Sequence, residues 1–206
     1  MKTISFMAQK GGCGKTTLAV NLAVAAVRAD RQSGLIDLDQ QGSSYRWWRE
    51  RKNRLGTTTP GVFSSQAVAL PDIIEAADET DFVFIDTAPQ ITSDTELIMQ
   101  NSDIILLPVK TSLADFATIE TMYQIAIRLE KKIYLVLSMV PTSGTLFEEA
   151  LQYLESKKYN LSPVYIYNRA DYIRSYTSGQ GAQEYKKNSA ASKEISNLYN
   201  WLLTIL

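Results

Sequence analysis

The segment Lys10-Gly11-Gly12-Cys13-Gly14-Lys15-Thr16-Thr17 is the most informative part of this sequence about its fold. It follows an apolar run at residues 4–7 that is typical of a short buried strand. It precedes an Ala/Val/Leu-rich run at residues 18–29 that is typical of a helix. A glycine-rich turn between a strand and a helix N-terminus directs backbone N–H groups toward a bound anion. The segment therefore predicts a phosphate-binding loop.

The loop offers ligands for a nucleotide and for a metal. Lys15 is placed to reach the β- and γ-phosphates, and the Thr16 hydroxyl is placed to hold Mg²⁺. The alternative is a flexible glycine-rich turn, which the strand-to-helix context disfavours. The expected nucleotide-binding residues are Gly11, Gly12, Cys13, Gly14, Lys15, Thr16 and Thr17.

The loop also departs from the general pattern G-x-x-x-x-G-K-[ST]. Gln9 stands where the first glycine would fall, and Lys10 stands at the head of the loop. The segment resembles the deviant Walker A motif of the ParA/MinD ATPases, K-G-G-x-G-K-T-T, at every specified position. The resemblance implies an α/β fold of the SIMIBI type of P-loop NTPase: a doubly wound, mostly parallel sheet with helices on both faces, formed by residues 1–206 as a single domain. It implies that Lys10 reaches into the phosphates of a partner subunit.

Two acidic residues end the next predicted strand, at residues 34–39. Asp37 and Asp39 would be costly on a buried strand without partners, so we expect them at its carboxyl end, where open α/β sheets bind ligands. The segment resembles the Walker A′ motif D-x-D-P-Q, with Gln40 in place of the proline. By resemblance, Asp39 lies near the attacking water and the metal. A solvated acidic turn is the alternative.

A third strand that ends in an acid is predicted at residues 82–86. It resembles Walker B, and the turn at residues 86–89 resembles the D-x-x-P turn of the same family. Asp86 is expected to hold a Mg²⁺-bound water opposite Thr16. The candidate catalytic residues are therefore Lys10, Lys15 and Asp39, and the candidate metal ligands are Thr16, Asp39 and Asp86.

Composition narrows the possible functions. The chain has 206 residues, a formal net charge of −1, no histidine and one cysteine, Cys13. These counts exclude an internal disulfide, imidazole catalysis and cysteine-ligated clusters. Any nucleic-acid contact must come from a local patch of charge. We expect a cytosolic protein, because no charged-then-apolar leader and no run of membrane-spanning length is present.

A basic helix at residues 43–54 is one candidate DNA surface. Ser43 or Ser44 is expected to cap it, and helical spacing groups Tyr45, Trp48 and Leu55, which predicts Trp48 in the core. The helix carries the densest basic cluster of the chain, beside Trp47: Arg46, Arg49, Arg51, Lys52 and Arg54. Such a cluster could bind the phosphate backbone of DNA. A helix face exposed to solvent, or one facing a partner subunit, is an equally good explanation of the cluster.

The tail contains a second candidate DNA surface. Its basic residues are Arg169, Arg174, Lys186 and Lys187. They alternate along the chain with Tyr172, Tyr176 and Tyr185, a pattern that favours nucleic-acid binding. An adenine-side loop followed by a solvated helix start is the equal alternative. By family resemblance, turns near Pro141 and Asn168 approach the adenine.

Other elements complete the predicted alternation. Strands are expected near residues 62–63, 103–109, 133–139 and 163–167, and helices near 71–77, 112–131, 145–158 and 195–206. Pro108-Val109 and Asp115-Phe116 resemble a family junction with a possible dimer-facing surface. The last helix is apolar and lacks the basic face of a membrane-seeking helix, which favours packing on the core.

The tail also bears on the function that the resemblance implies. Arg169, Tyr172, Ser175, Gly179 and the segment at residues 193–195 resemble small ParF-type partition ATPases. As in that subgroup, no helix-turn-helix precedes the loop, so sequence-specific operator binding is not expected.

The resemblance implies a weak ATPase that forms an ATP-bound homodimer and binds DNA non-specifically. It would be nucleoid-associated, would be stimulated by a ParB/ParG-like or cargo-adaptor protein, and would drive plasmid or chromosome partition. Positioning of a protein cargo such as a carboxysome or a chemoreceptor cluster is the alternative. A MinD-like membrane ATPase is a third.

Overall fold

A parallel sheet of seven strands forms the centre of the molecule, in the order β3-β2-β4-β1-β5-β6-β7 among the residues that the structure describes. This computed structural model describes residues 1–112, 116 and 119–206. The strands are β1 (Lys2–Phe6), β2 (Ser33–Asp37), β3 (Gly61–Ser64), β4 (Phe82–Asp86), β5 (Ile104–Val109), β6 (Lys132–Val140) and β7 (Ile166–Tyr167).

Helices cover both faces of the sheet. They are α1 (Lys15–Arg28), α2 (Ser43–Leu55), α3 (Leu70–Ala76), α4 (Asp94–Gln100), α5 (Ile119–Arg128), α6 (Leu146–Ser156), α7 (Ala170–Thr177), α8 (Ala182–Tyr185) and α9 (Ala190–Ile205), with a short 3₁₀ turn at Ala67–Ala69. No helix in these ranges is long and apolar enough to cross a membrane.

The alternation of side chains along each strand produces two cores. In β4, Phe82 and Phe84 join the core under α1, α2 and α7–α9, whereas Val83 and Ile85 join the core under α3–α6. Strands that are buried on both faces read as continuous apolar runs, which is why β4 and β5 were readable from sequence. Ile195, Leu198 and Leu202 of α9 are fully buried in the first core. The expected packing of this helix on the core is confirmed.

The strand register brings the carboxyl ends of β1, β2 and β4 together. Asp86 at the end of β4 stands opposite Phe6 of β1 on one side and Asp37 of β2 on the other. The chain leaves β1 into the glycine loop, and β1 lies between β4 and β5. In open α/β sheets this edge, outside the carboxyl ends of the strands, is the ligand-binding edge.

The predicted fold class is confirmed, and four local predictions need correction or comment. Trp47 is fully buried, whereas Tyr45 and Leu55 are exposed and Trp48 is half-buried, because Trp47 faces the tail of the chain. Gly42, in a left-handed conformation, precedes α2 in place of a serine cap. Helices α4, α7 and the four-residue α8 were not predicted from the sequence. The predicted junction at Asp115 lies outside the described residues.

Candidate functional site

Two glycines give the phosphate loop its shape. Gly12 and Gly14 have φ angles of +68° and +100°, in the left-handed region that favours glycine. A Cβ on Gly14 would also lie 2.7 Å from the Ser138 hydroxyl oxygen. Helix α1 begins at Lys15, directly after this turn, and the Lys15 side chain is buried. The loop therefore faces the N-terminal end of a 14-residue helix, as an anion site requires.

Cys13 anchors the loop from inside. Its thiol donates a hydrogen bond to the Lys10 carbonyl oxygen at 3.4 Å. Burial raises the pKa of the Cys13 thiol above its usual range, with the charges of Lys15 and Lys110 opposing the rise. Cys13 thus acts as a small neutral side chain that fixes the loop.

Lys110 is a cation at the loop that the sequence analysis missed. A Cβ on Gly12 would lie 3.6 Å from the Lys110 ammonium nitrogen. Lys110 directly follows β5, which pairs with β1, so its ammonium group and the loop share one edge of the sheet. The sequence offered one indication that Lys110 belongs to the site: it comes immediately after a predicted buried strand, at the edge of the sheet where ligands bind.

Asp86 is fully buried at the centre of this edge. Its Oδ2 atom accepts a hydrogen bond from the Ser44 hydroxyl, while its Oδ1 atom is buried without a hydrogen-bond partner among the described residues. Burial raises the pKa of Asp86 to about 6; the Asp37 carboxylate adds to this shift, and the Ser44 and Thr16 hydroxyls and Lys15 oppose it. A buried, unpaired carboxylate oxygen is costly, and a cation would relieve that cost.

The donor set fits Mg²⁺ in the way that nucleotide sites usually bind it. The described residues contain no group of three or more acidic, histidine or cysteine side chains that could hold a metal alone. Mg²⁺ commonly takes one or two protein oxygens together with substrate phosphates and water. Thr16 at the start of α1 and the unpaired Oδ1 atom of Asp86 are such oxygens. These two residues would hold the ion.

Asp37 has a structural role. Its two carboxylate oxygens accept hydrogen bonds from the Asp39 N–H at 3.1 Å and from the Tyr45 N–H at 2.9 Å. Burial raises its pKa, and these two backbone donors oppose the rise. Asp37 therefore fixes both the turn after β2 and the first turn of α2.

Asp39 lies in that turn. Its Oδ1 atom accepts the Gln41 N–H at 2.9 Å, and the residue borders a cavity of about 560 Å³ shared with residues 87–90. Thr87 and Pro89, in the turn that follows β4, line the same cavity. Asp39 is thus two residues beyond the Asp37–Asp86 register pair, at the same edge of the sheet.

A second cavity, of about 300 Å³, opens beside the start of α1. Gly14, Thr16 and Thr17 form its phosphate-loop side, and Tyr167, Asn168 and Arg169 belong to its other side. Ser43, Ser138, Met139, Ile166, Tyr172, Ile173 and Tyr176 complete the lining. The turn at Asn168 therefore borders a cavity beside the phosphate loop, whereas Pro141 is not part of its lining. The approach of these two turns to the adenine stays a prediction.

Comparison with known proteins agrees with this arrangement. The sequence profile of the CobQ/CobB/MinD/ParA nucleotide-binding domain matches residues 4–182, which is most of the chain. The chain belongs to this family. The Maintenance of carboxysome distribution protein A of Gloeobacter kilaueensis is 36% identical over 128 residues, which cover 60% of this chain and 56% of that protein. This chain thus spans about half the length of that relative.

Solved structures share the fold of this ParA/MinD-family domain. Apo McdA from Cyanothece superposes with a TM-score of 0.81 at 17% identity, covering 98% of this chain and 99% of that one. A putative plasmid partition protein from Borrelia burgdorferi B31, bound to AMPPNP, superposes with a TM-score of 0.76 at 17% identity, covering 100% and 99%. At this identity the likeness establishes the fold alone.

Within this family domain, Arg51 is a structural residue and not a free member of the basic cluster. Its guanidinium donates to both carboxylate oxygens of Glu184 at 2.7 and 2.8 Å, and to the Thr59 and Gly179 carbonyls. A Cβ on Gly179, whose φ is +69°, would lie 2.3 Å from the Arg51 backbone nitrogen, so only glycine fits there. Arg51 thus joins α2 to the tail. Trp47, expected beside a DNA surface, is buried under the same contact.

The remaining candidate DNA-binding residues divide by environment. Arg46, Arg49, Arg174, Lys186 and Lys187 are exposed. Arg169 is half-buried: it forms an ion pair with Glu194 at 2.6 Å, lies over the Tyr167 ring and borders the 300 Å³ cavity. The Tyr176 hydroxyl donates to the Ser43 carbonyl, so α7 and the start of α2 are in contact. One helix of each candidate surface is therefore in contact with the other.

Proposed function

We propose that this protein is a Mg²⁺-dependent ATPase of the ParA type that forms an ATP-bound homodimer, binds DNA non-specifically in that state and drives plasmid or chromosome partition. One observation carries the proposal. A full K-G-G-x-G-K-T-T loop, in the family's strand-to-helix setting, stands beside a buried aspartate whose Oδ1 atom has no partner within the described residues. That combination provides an anion site and a cation site at one edge of the sheet.

The side chains divide the work of hydrolysis. Mg²⁺–ATP supplies the γ-phosphoryl group and the charge of the metal. The N–H groups of the loop would bind the phosphates, Lys15 would contact their outer oxygens, and Thr16 with Asp86 would hold the cation. Asp39 would orient the attacking water. Positioning of the reactants and stabilisation of charge account for most of the catalysis in phosphoryl transfer. The basal rate of ATP hydrolysis should therefore be weak whenever Lys10, Lys15 or Asp39 is not correctly placed.

Lys10 would couple hydrolysis to association. It is an exposed residue at the head of the loop. In a dimer with its two loops face to face, Lys10 would reach the phosphates of the partner subunit and stabilise the charge that develops there. Association would then require ATP, and hydrolysis would release the dimer.

The adjacent basic surfaces support ATP-dependent DNA binding. The chain has a formal net charge of −1, so a monomer has no global attraction for DNA. Arg46 is exposed on α2 one turn after Ser43, whose carbonyl accepts the Tyr176 hydrogen bond, and Arg174 is exposed on the same helix as Tyr176. Arg49 on α2 and Lys186 and Lys187 after α8 are further exposed cations. Dimerisation doubles this local patch and raises its avidity for phosphates. The proposed location is therefore the nucleoid, by way of DNA.

A second candidate function uses the same chemistry to position a protein cargo. It is favoured by the similarity to a protein named for maintenance of carboxysome distribution. In both cases a second protein, ParB/ParG-like or a cargo adaptor, would stimulate hydrolysis. A small basic DNA-binding protein encoded beside this one would favour partition. A membrane role is disfavoured because Ile195, Leu198 and Leu202 of α9 are fully buried in the core.

The experiment that tests the proposed function is analytical ultracentrifugation with ATP–Mg²⁺ or ADP–Mg²⁺. Wild type should show a dimer fraction only with ATP. Lys15→Ala should lose nucleotide binding and remain a monomer, and Asp39→Ala should accumulate as an ATP dimer that hydrolyses poorly. A wild-type dimer that is the same with ATP, ADP or no nucleotide would overturn the proposal.

A further inference from the structure

The outer edge of β3 is open and borders a groove. β3 is the last strand on its side of the sheet within the described ranges, so alternate backbone N–H and C=O groups of residues 61–64 point away from β2. A cavity of about 500 Å³ runs along this edge. Its lining is Tyr45, Trp48, Thr58, Gly61, Val62, Phe63 and Ser64.

The groove has apolar walls on both faces of the sheet. Val62 is buried in the core beneath α2, and Phe63, one residue later, pairs in register with Ile36 of the opposite core. Phe63 is nevertheless 68% exposed. On the α2 side, the rings of Tyr45 and Trp48 stack with centroids 5.6 Å apart. A new strand along this edge would therefore find aromatic contacts for the side chains on either of its faces.

The rim of the groove is cationic. Arg49 and Lys52 lie on the same side of α2 as Tyr45 and Trp48, at helical spacings of three and four residues. The Lys52 ammonium lies 5.7 Å from the centre of the Trp48 ring. Glu50, the one acid of α2, forms an ion pair with Arg54. The charge beside the groove is thus positive.

We propose that this groove binds an extended segment of a partner protein, which adds to β3 as an eighth strand and carries apolar side chains alternating with acidic ones. The open strand edge requires a peptide backbone, which supplies the matching donors and acceptors. The aromatic walls select apolar side chains, and Arg49 and Lys52 select acids. A second copy of this chain is disfavoured because edge-to-edge pairing would bring two sets of these cations together. The proposal does not depend on nucleotide binding.

A displayed library of random 12-residue peptides, selected against immobilised wild-type protein without nucleotide, tests the proposal. Enriched peptides should alternate apolar and acidic residues, and their affinity is read by fluorescence anisotropy. Phe63→Ser should weaken binding at least tenfold, and Arg49→Ala combined with Lys52→Ala should weaken it and reduce its salt dependence. Ile127→Ser is the control, because Ile127 is 51% exposed on α5 and lies outside the groove.

A second experiment tests directly whether the peptide backbone bonds to the edge of β3. Two versions of the peptide are compared, one N-methylated at every odd position and the other at every even position. If the peptide adds as a strand, only one of these two sets of N–H groups bonds to β3, so one version should lose binding and the other should bind unchanged. The proposal is overturned if both versions bind alike, or if Phe63→Ser and Ile127→Ser have equal effects. It is also overturned if an oligonucleotide displaces the peptide with the same dependence on Phe63, or if Phe63→Ser abolishes a concentration-dependent self-association of wild type. ATPase activity and ATP-dependent dimerisation should be unchanged in Phe63→Ser, which has no role in the proposed function, and this separates the test from that of the proposed function.

Discussion

The Ser44 hydroxyl donates a hydrogen bond to the buried carboxylate of Asp86, although the two residues are 42 positions apart in sequence. The neighbouring Tyr45 N–H donates to Asp37. Two buried acids at the carboxyl ends of β2 and β4 therefore hold the first turn of α2. Because α2 also carries exposed Arg46 and Arg49, its position links the candidate metal site to one candidate DNA surface.

Ser44→Ala should destabilise the protein by about 1–3 kcal/mol at pH 7, because it removes a hydrogen-bond donor from a buried carboxylate. The pKa of Asp86 should rise further. Urea denaturation measures the first effect. Ser43→Ala is the matched control, since its hydroxyl accepts a bond from exposed Arg46 and its loss should cost less than about 0.5 kcal/mol. Equal losses in the two variants would show that the Ser44–Asp86 bond contributes nothing.

Asp86 should make the stability of the protein without nucleotide and Mg²⁺ depend on pH. Its folded-state pKa of about 6 lies above the unfolded value of about 3.9, so the folded protein binds more protons between these limits. Stability contributed by the protonated form is complete below pH 4 and is lost as the pH rises through 6. Wild type should therefore lose about 2 kcal/mol relative to Asp86→Asn between pH 4 and 7. A stability difference that is constant across this range would contradict the assigned environment.

Arg51→Ala should cost about 3–5 kcal/mol of folding stability, because it leaves Glu184 partly buried without its partner. Arg54→Ala removes a mostly exposed ion pair with Glu50 on the same helix and should cost less than about 1 kcal/mol. Thermal or urea unfolding of the two variants checks this. If both cost the same, Arg51 is not the residue that joins α2 to the tail.

Lys110→Ala should weaken nucleotide affinity about tenfold at low ionic strength, because a charge-assisted contact with phosphate contributes about 1.5–3 kcal/mol. The expectation rests on the ammonium group beside Gly12. Titration with a fluorescent ATP analogue measures the affinity, and Lys193→Ala, an exposed lysine on α9, is the control. Unchanged affinity in Lys110→Ala would place this lysine outside the phosphate site.

The parts of the site that lie close together in sequence were predictable, and the parts assembled by distant contacts were not. Gly12, Gly14 and Lys15 form one local turn, so their residue types and spacing predict its geometry. Asp86 was recognisable because a buried strand ends there. Ser44 and Lys110 carry no motif; the sheet brings them to the site from the starts of other connections.

The choice between two adjacent tryptophans shows the same limit. Helical spacing groups Trp48 with Tyr45 and Leu55, yet Trp47 is the buried ring. The Trp47 indole N–H donates to the Gln180 carbonyl, a residue 133 positions away. Burial on α2 therefore depends on where the tail packs, which periodicity within the helix cannot report. Arg51 was likewise grouped with exposed cations because its partner, Glu184, is equally distant in sequence.

The most direct test of ATP-controlled DNA binding uses random duplex DNA at fixed moderate salt. Binding is measured by fluorescence anisotropy for wild type and Asp39→Ala. We expect binding with ATP–Mg²⁺ and not with ADP, and stronger binding by Asp39→Ala, because that variant should retain ATP and remain dimeric. Equal binding with ATP and ADP, or no binding in either state, would contradict an ATP-controlled DNA-binding switch.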